Sequence, residues 1–139
     1  MNVDCFLDTN VPVYAALARF SAPAKYERAR LVMAETNFGL SAQVLQEFFV
    51  NVTRKADRPL STDQALEWID GLTDRPCVAV DRELVVEAVG ISERYQIHYW
   101  DAALVAAAER LDAPLIYSED LNHGQIYGRV RVENPFRIN

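Results

Sequence analysis

Apolar residues recur along this chain in two rhythms. Short, nearly continuous apolar runs alternate with longer stretches whose apolar positions fall three or four residues apart. The first rhythm predicts buried strands and the second amphipathic helices. Val3-Asp4-Cys5-Phe6-Leu7 reads as a first strand that ends abruptly in Asp8-Thr9-Asn10. Pro12 suits the start of a short helix over 13–18, and Pro23 opens a second over 24–35. Phe38-Gly39-Leu40 predicts a brief second strand, after which Ser41 caps a strong helix reaching about Ala56. Val44, Leu45, Phe48, Phe49 and Val52 give that helix a wide buried face. Ser61 and Gln64 match a capping box for a helix carrying Ala65, Leu66, Trp68, Ile69 and Leu72. A third strand is expected over 77–80, then a helix from the Asp81 cap to about Tyr95. An alanine-rich helix follows from Trp100 or Asp101 to Leu111, small enough in its side chains to approach a neighbour closely. Pro114-Leu115-Ile116-Tyr117 predicts a fourth strand and residues 129–132 a shorter fifth.

Short apolar strands alternating with helices imply an α/β fold, with a central parallel sheet of about five strands and helices on both faces. Right-handed crossovers restrict it to a few doubly wound arrangements. The 139 residues suit one domain over 1–139, with no repeat or linker. No apolar run is long enough for a membrane span, and no signal peptide is visible at the N-terminus. Cys5 and Cys77 both lie in apolar runs and are expected to be reduced core residues, which fits a cytoplasmic protein without membrane partners.

Charge changes the picture only in part. A net charge of −6 argues against a passive nucleic-acid binder, which carries a basic footprint. If four acids are gathered in one site, however, the other 16 of the 20 face 14 basic residues, and 12 of those 14 are Arg, suited to phosphate.

Four acids stand out by position. Asp8 follows the first strand and Asp120 the fourth, Asp101 opens the alanine-rich helix, and Glu47 lies in the long helix at the edge of its apolar arc, beside Gln43, Asn51 and Arg54. Each has an ordinary structural use: Asp8 as a helix cap, Asp101 as a first-turn residue favoured by the helix dipole, Asp120 as a turn residue, Glu47 as a solvated helix acid. Their joint placement says more. If the first and fourth strands are neighbours from which the chain winds in opposite directions, Asp8 and Asp120 flank the switch point where such sheets bind ligands. Carboxylates crowded there repel and raise one another's pKa, and a divalent cation such as Mg²⁺ or Mn²⁺ relieves both effects.

Other chemistries fit poorly. His98 and His123 lack ligand spacing to each other or to the cysteines, so zinc is not expected. No glycine-rich phosphate loop and no nucleophile elbow is present. An aspartyl-phosphate mechanism would need a late lysine, where the only lysines are Lys25 and Lys55, and in its phosphatase form also a second Asp, where this chain has Asn10.

The ordered set Phe6-Leu7-Asp8-Thr9-Asn10, residues 40–48 around Glu47, Tyr99-Trp100-Asp101-Ala102-Ala103 and residues 117–124 around Asp120 closely resembles the PIN-domain family, and within it the VapC-type ribonuclease toxins. The resemblance implies a three-layer α/β/α PIN-like domain over essentially the whole chain. It places Asp8, Glu47, Asp101 and Asp120 at the family's four acidic positions, as metal ligands and catalytic residues, with Thr9, Asn10 and Ser118 supporting them. It further implies a Mg²⁺-dependent (or Mn²⁺-dependent) endoribonuclease acting on RNA, commonly a homodimer, inhibited by a cognate antitoxin protein. Glu119 is an additional acid without an assigned role, and Tyr99 and Trp100 are available either to stack on unpaired bases or to pack. The competing readings are a non-catalytic metal-binding interaction domain and a DNA-directed nuclease of the same fold.

Overall fold

The computed structural model describes residues 3–137, so the two residues at each end of the expected domain lie outside the described residues. Strand β1 (Cys5–Leu7) leads into α1 (Asn10–Leu17) and α2 (Pro23–Glu35). Then come β2 (Phe38–Ser41), α3 (Ala42–Val50) with a wider π turn over Asn51–Lys55, α4 (Thr62–Leu72) and β3 (Cys77–Val78). Helices α5 (Arg82–Tyr95) and α6 (Tyr99–Arg110) precede β4 (Leu115–Tyr117), β5 (Ile126–Tyr127) and β6 (Val130–Glu133).

The sheet has six strands in the order β3-β2-β1-β4-β6-β5, parallel except for the β5–β6 hairpin. From β1 the chain builds outward through β2 and β3, then returns to lay β4 and β6 on the other side. The switch point is therefore the seam between β1 and β4, where Leu7 pairs with Tyr117. All residues of β1 and β2 are buried, which requires cover on both faces and gives three layers. Helix α6 packs on β2, β4 and β6 and against α5, while α1 to α4 form the other group. Ala102, Ala103, Ala106, Ala107 and Ala108 are all buried, so the small side chains of α6 do bring it close to its neighbours. A second, smaller cluster joins Phe48 and Val52 to Ala65, with Trp68 and Ile69 packed on it.

Several local expectations are corrected. The helix expected over 13–18 starts at Asn10, because Thr9 already has helical dihedrals (φ −57°, ψ −36°). Pro12 then falls in the first turn, where its missing N–H costs nothing. The third strand ends at Val78 rather than residue 80, since the Asp81 side chain caps α5 through the Leu84 N–H at 2.8 Å. Cys5 is buried as expected, but Cys77 is exposed on the edge strand and is not a core residue. The sixth strand comes from residues 126–127, which pair with β6 through a turn at Gly128, whose φ of 61° suits glycine. Among the described residues no helix is long and apolar enough to cross a membrane.

Candidate active site

The carboxyl end of β1 is anchored by some of the best-buried side chains in the chain, Phe6, Leu7 and the neighbouring Ile116. Each stabilises the fold by roughly 1.5–3 kcal/mol, enough to hold an acid where it would not otherwise stay. Asp8 is that acid, only 6% exposed. Its backbone N–H continues the sheet to Tyr117 O at 3.0 Å. Its side chain caps no helix: Oδ1 accepts the adjacent Thr9 N–H at 2.7 Å and Oδ2 accepts the Ser118 hydroxyl at 2.7 Å. Burial lifts the Asp8 pKa from 3.8 to about 6. The bonds from Ser118 and Thr9 hold it down in part, while the charges of Asp120 and Glu47 push it up.

The other polar residues converge on the same place. Thr9 gives its hydroxyl to Glu47 Oε1 at 2.7 Å, and Asn10 gives an amide N–H to Asp120 Oδ2 at 3.3 Å. Ser118, fully buried, also accepts the backbone N–H groups of Asp120 (3.2 Å) and Leu121 (3.1 Å), shaping the loop that carries Asp120. Asp101, in the first turn of α6, has its pKa raised by burial, with His98 offsetting and Asp120 adding to the rise. Asp8, Glu47, Asp101 and Asp120 all line one cleft of about 640 Å³ at the switch point, together with Thr9 and Asn10. Ser118 lies beneath it. The seven residues singled out from the sequence are thus brought together. Among the described residues no three His, Cys, Asp or Glu side chains are gathered tightly enough to hold a metal ion. Asp8, Glu47 and Asp120 instead each accept hydrogen bonds from neighbouring donors, which hold the like charges apart.

The aromatic pair divides. Trp100 is 66% exposed and lines the cleft, whereas Tyr99 packs on the core and meets Trp100 edge to face at 5.0 Å. The histidines are local: His123 Nδ1 accepts the Asn134 N–H at 3.0 Å, and His98 is exposed.

Two features were missed in the sequence. Glu119 is bound by Lys25 of α2 and by the Tyr14 hydroxyl of α1, and Lys25 also donates to Tyr14 at 3.2 Å. Burial alone would raise the Glu119 pKa, but these bonds outweigh it and hold the carboxyl below its ordinary value. Tyr14 lies four residues after Asn10, on the same helix face, and that spacing was the available signal. The second is Lys55. With Glu47 on the cleft, a regular helix would bring Arg54 round to that side, but the extra residue of the π turn gives the place to Lys55.

A PIN domain family model matches residues 5–128. Among solved structures, the fold is similar to the VapC20 toxin of Mycobacterium tuberculosis, described as cleaving the sarcin-ricin loop (TM-score 0.66, 20% identity, 84% of this chain and 89% of that one). It is also similar to a toxin–antitoxin complex from Klebsiella pneumoniae (TM-score 0.68, 15% identity, 96% and 99%). A third likeness is to VapBC2 of Rickettsia felis bound to a promoter DNA fragment (TM-score 0.62, 18% identity, 94% and 97%). No curated protein matches the sequence significantly. With the family match running from β1 into the β5–β6 hairpin, over a sheet that places four acids at its switch point, the chain belongs to the PIN domain family.

Proposed function

We propose that this protein is a metal-dependent endoribonuclease, the VapC-type toxin of a toxin–antitoxin pair. The observation that carries this reading is the convergence of Asp8, Glu47, Asp101 and Asp120, from four separate segments, on one cleft. A sheet spends stability to keep Asp8 buried beside Glu47 and Asp120, and a bound dication would recover it. The donors are carboxylate oxygens, which suit Mg²⁺ or Mn²⁺ and not a soft metal. The four carboxylates line the cleft without closing on a common point, so Asp8, Glu47, Asp101 and Asp120 would have to draw inward to hold an ion, which would supply Lewis-acid polarisation of the phosphate and a more acidic water. The protein's own part is positional. Ser118 and Thr9 fix the Asp8 carboxylate, Thr9 fixes Glu47, Asn10 steadies Asp120, and Trp100 offers an open ring for an unpaired base.

The toxin assignment is supported by the likeness to VapC20 and to toxin–antitoxin complexes. An antitoxin Arg placed against the acid cluster would compete with metal. A homodimer is the expected assembly. The face of α4 is largely used within the chain, by the cluster around Phe48, but Leu66 on α4 and Val86 and Val89 on α5 remain exposed and available to a second copy.

The test is cleavage of single-stranded RNA, structured RNA and DNA by one purified preparation, with Mg²⁺, with Mn²⁺ and with excess EDTA. RNA cleavage that stops with EDTA and returns with added metal is expected. Metal binding with no cleavage would leave an interaction domain, and preference for DNA would move the substrate. Co-expression with the adjacent reading frame should yield a copurifying inhibitor, and light scattering should give the mass of a dimer.

A further inference from the structure

Beside the acid cleft lies a second groove of about 550 Å³, between the α1–α2 corner and the end of the π turn, lined by Leu17, Phe20, Lys55 and Arg58 among others. Lys55 lines both, so the two spaces adjoin at that residue. Phe20 is 81% exposed, the most exposed of the large apolar side chains among the described residues. The Arg19 guanidinium lies 5.4 Å from its ring centroid. Arg54, Lys55 and Arg58 form no ion pair among the described residues. In a chain of net charge −6, Lys55 and Arg58 form a local basic rim next to an acidic cleft.

We infer that this groove is the channel for the single-stranded RNA flanking the scissile bond, with Lys55 and Arg58 meeting phosphates and Phe20 stacking on an unpaired base. This rests on the nuclease reading of the acid cleft. The charge selects the occupant: a phosphate backbone needs cations that are not already neutralised. A flat exposed ring beside them stacks on bases of any identity, provided that they are unpaired. The cleft acids repel that same backbone, so a strand drawn to the acid site needs a basic handhold next to it. Lys55 stands at the junction and, through the π turn, faces the cleft as well as the groove. Asp57 is the single acid lining the groove, set among two cations.

The experiment uses Asp8→Asn as a cleavage-deficient parent and measures fluorescence anisotropy of a short end-labelled single-stranded RNA. Adding Phe20→Ala should weaken binding about tenfold, within the range for loss of one stacked base. Adding Arg58→Gln should weaken it and reduce the slope of log affinity against log salt by about 0.7, as for one phosphate contact on a single strand. Ile126→Ala, a change at an exposed apolar residue on β5, should do neither. Both test side chains lie at the surface, and circular dichroism checks that the variants stay folded. In the active background Phe20→Ala should act through KM on long single-stranded RNA. Unchanged RNA affinity in both variants would overturn the channel, and loss of a copurifying inhibitor instead would make the groove a protein-docking surface. A parent that binds no RNA, with a wild type that cleaves none, would remove the nuclease reading and the channel with it.

Discussion

The Ser118 hydroxyl donates to Asp8 Oδ2 at 2.7 Å across the seam between β1 and β4. One buried side chain thus holds the acid at the switch point while accepting two backbone N–H groups of the loop that carries Asp120. Ser118→Ala leaves all three partners short of a bond at a position closed to solvent. It should destabilise the protein by about 1–3 kcal/mol and raise the Asp8 pKa further above about 6, since the lost bond was lowering it. Urea unfolding and carboxyl-carbon NMR titration measure the two effects, and an unchanged Asp8 pKa would show that Ser118 does not hold the charge.

The same acid gives the metal-free protein a pH signature. Its folded pKa is raised, from 3.8 to about 6, so the folded state prefers the protonated acid. The contribution of Asp8 to stability is fully present below pH 3.8 and is lost as the pH rises through about 6. At complete ionisation the loss is on the order of 2–3 kcal/mol. Melting of metal-free protein should therefore show an Asp8-linked decline between about pH 4 and 7 that Mg²⁺ at neutral pH counteracts. The comparison is wild type against Asp8→Asn at each pH. Parallel curves for the two would remove the assignment.

Lys25 and Glu119 yield a test of a different kind. The Lys25–Tyr14–Glu119 cluster borders the cleft and neutralises what would be a further negative charge there. Lys25→Met leaves Glu119 with only the Tyr14 hydroxyl, so RNA affinity should fall severalfold. Lys25→Met/Glu119→Gln, which removes the stranded charge, should recover most of it. A double-mutant cycle on RNA affinity reads the coupling directly. Equal affinities for single and double variants would reduce the cluster to a scaffold.

Gly39 marks where β2 passes beneath the end of α6. A Cβ there would come within 2.5 Å of Leu111 Cδ1. Gly39→Ala should destabilise by about 1–3 kcal/mol, as overpacking does, and Leu111→Ala should relieve part of that. Thermal melting of the three variants decides it, and full additivity would mean that the contact is not the cause.

What was legible in the sequence was whatever depends on periodicity and on strand ends. Strands β1 and β4 announce themselves as apolar runs with Asp8 and Asp120 after them, but the switch point was conditional on those strands being neighbours, a condition that the β1–β4 pairing meets. Less was legible where a local choice depends on tertiary partners. The exposure of Cys77 comes from the edge position of β3, which composition does not reveal. The pair Ile126–Tyr127 is too short to show alternation and exists as a strand only because β6 lies beside it. The π turn exchanges Lys55 for Arg54 on the cleft, and a helical wheel drawn at about 3.6 residues per turn assigns the wrong residue. Lys25 and Glu119 are 94 residues apart and meet only once the sheet has formed.

Asp8→Asn and Asp101→Asn separate ligands from structural acids. Asn resembles Asp in shape and is a comparable cap, so if either acid only supported a turn or a helix start, cleavage would persist. If both hold metal, each replacement should lower RNA hydrolysis by orders of magnitude. Stability should move the other way. Burial already disfavours the charged form at both positions, so removing the charge from metal-free protein should hold or raise the melting temperature. The burial penalty removed is larger for Asp8, which is the more deeply buried. In Asp8→Asn the amide oxygen can keep one of the two bonds, from the Thr9 N–H or from the Ser118 hydroxyl, and the other is lost, which offsets part of the gain. The measurement is metal-free melting beside an RNA cleavage time course for wild type and both variants. Near-wild-type cleavage by either variant would take that residue out of the site. A large drop in melting temperature would show that its charge supports the fold, contrary to the burial argument.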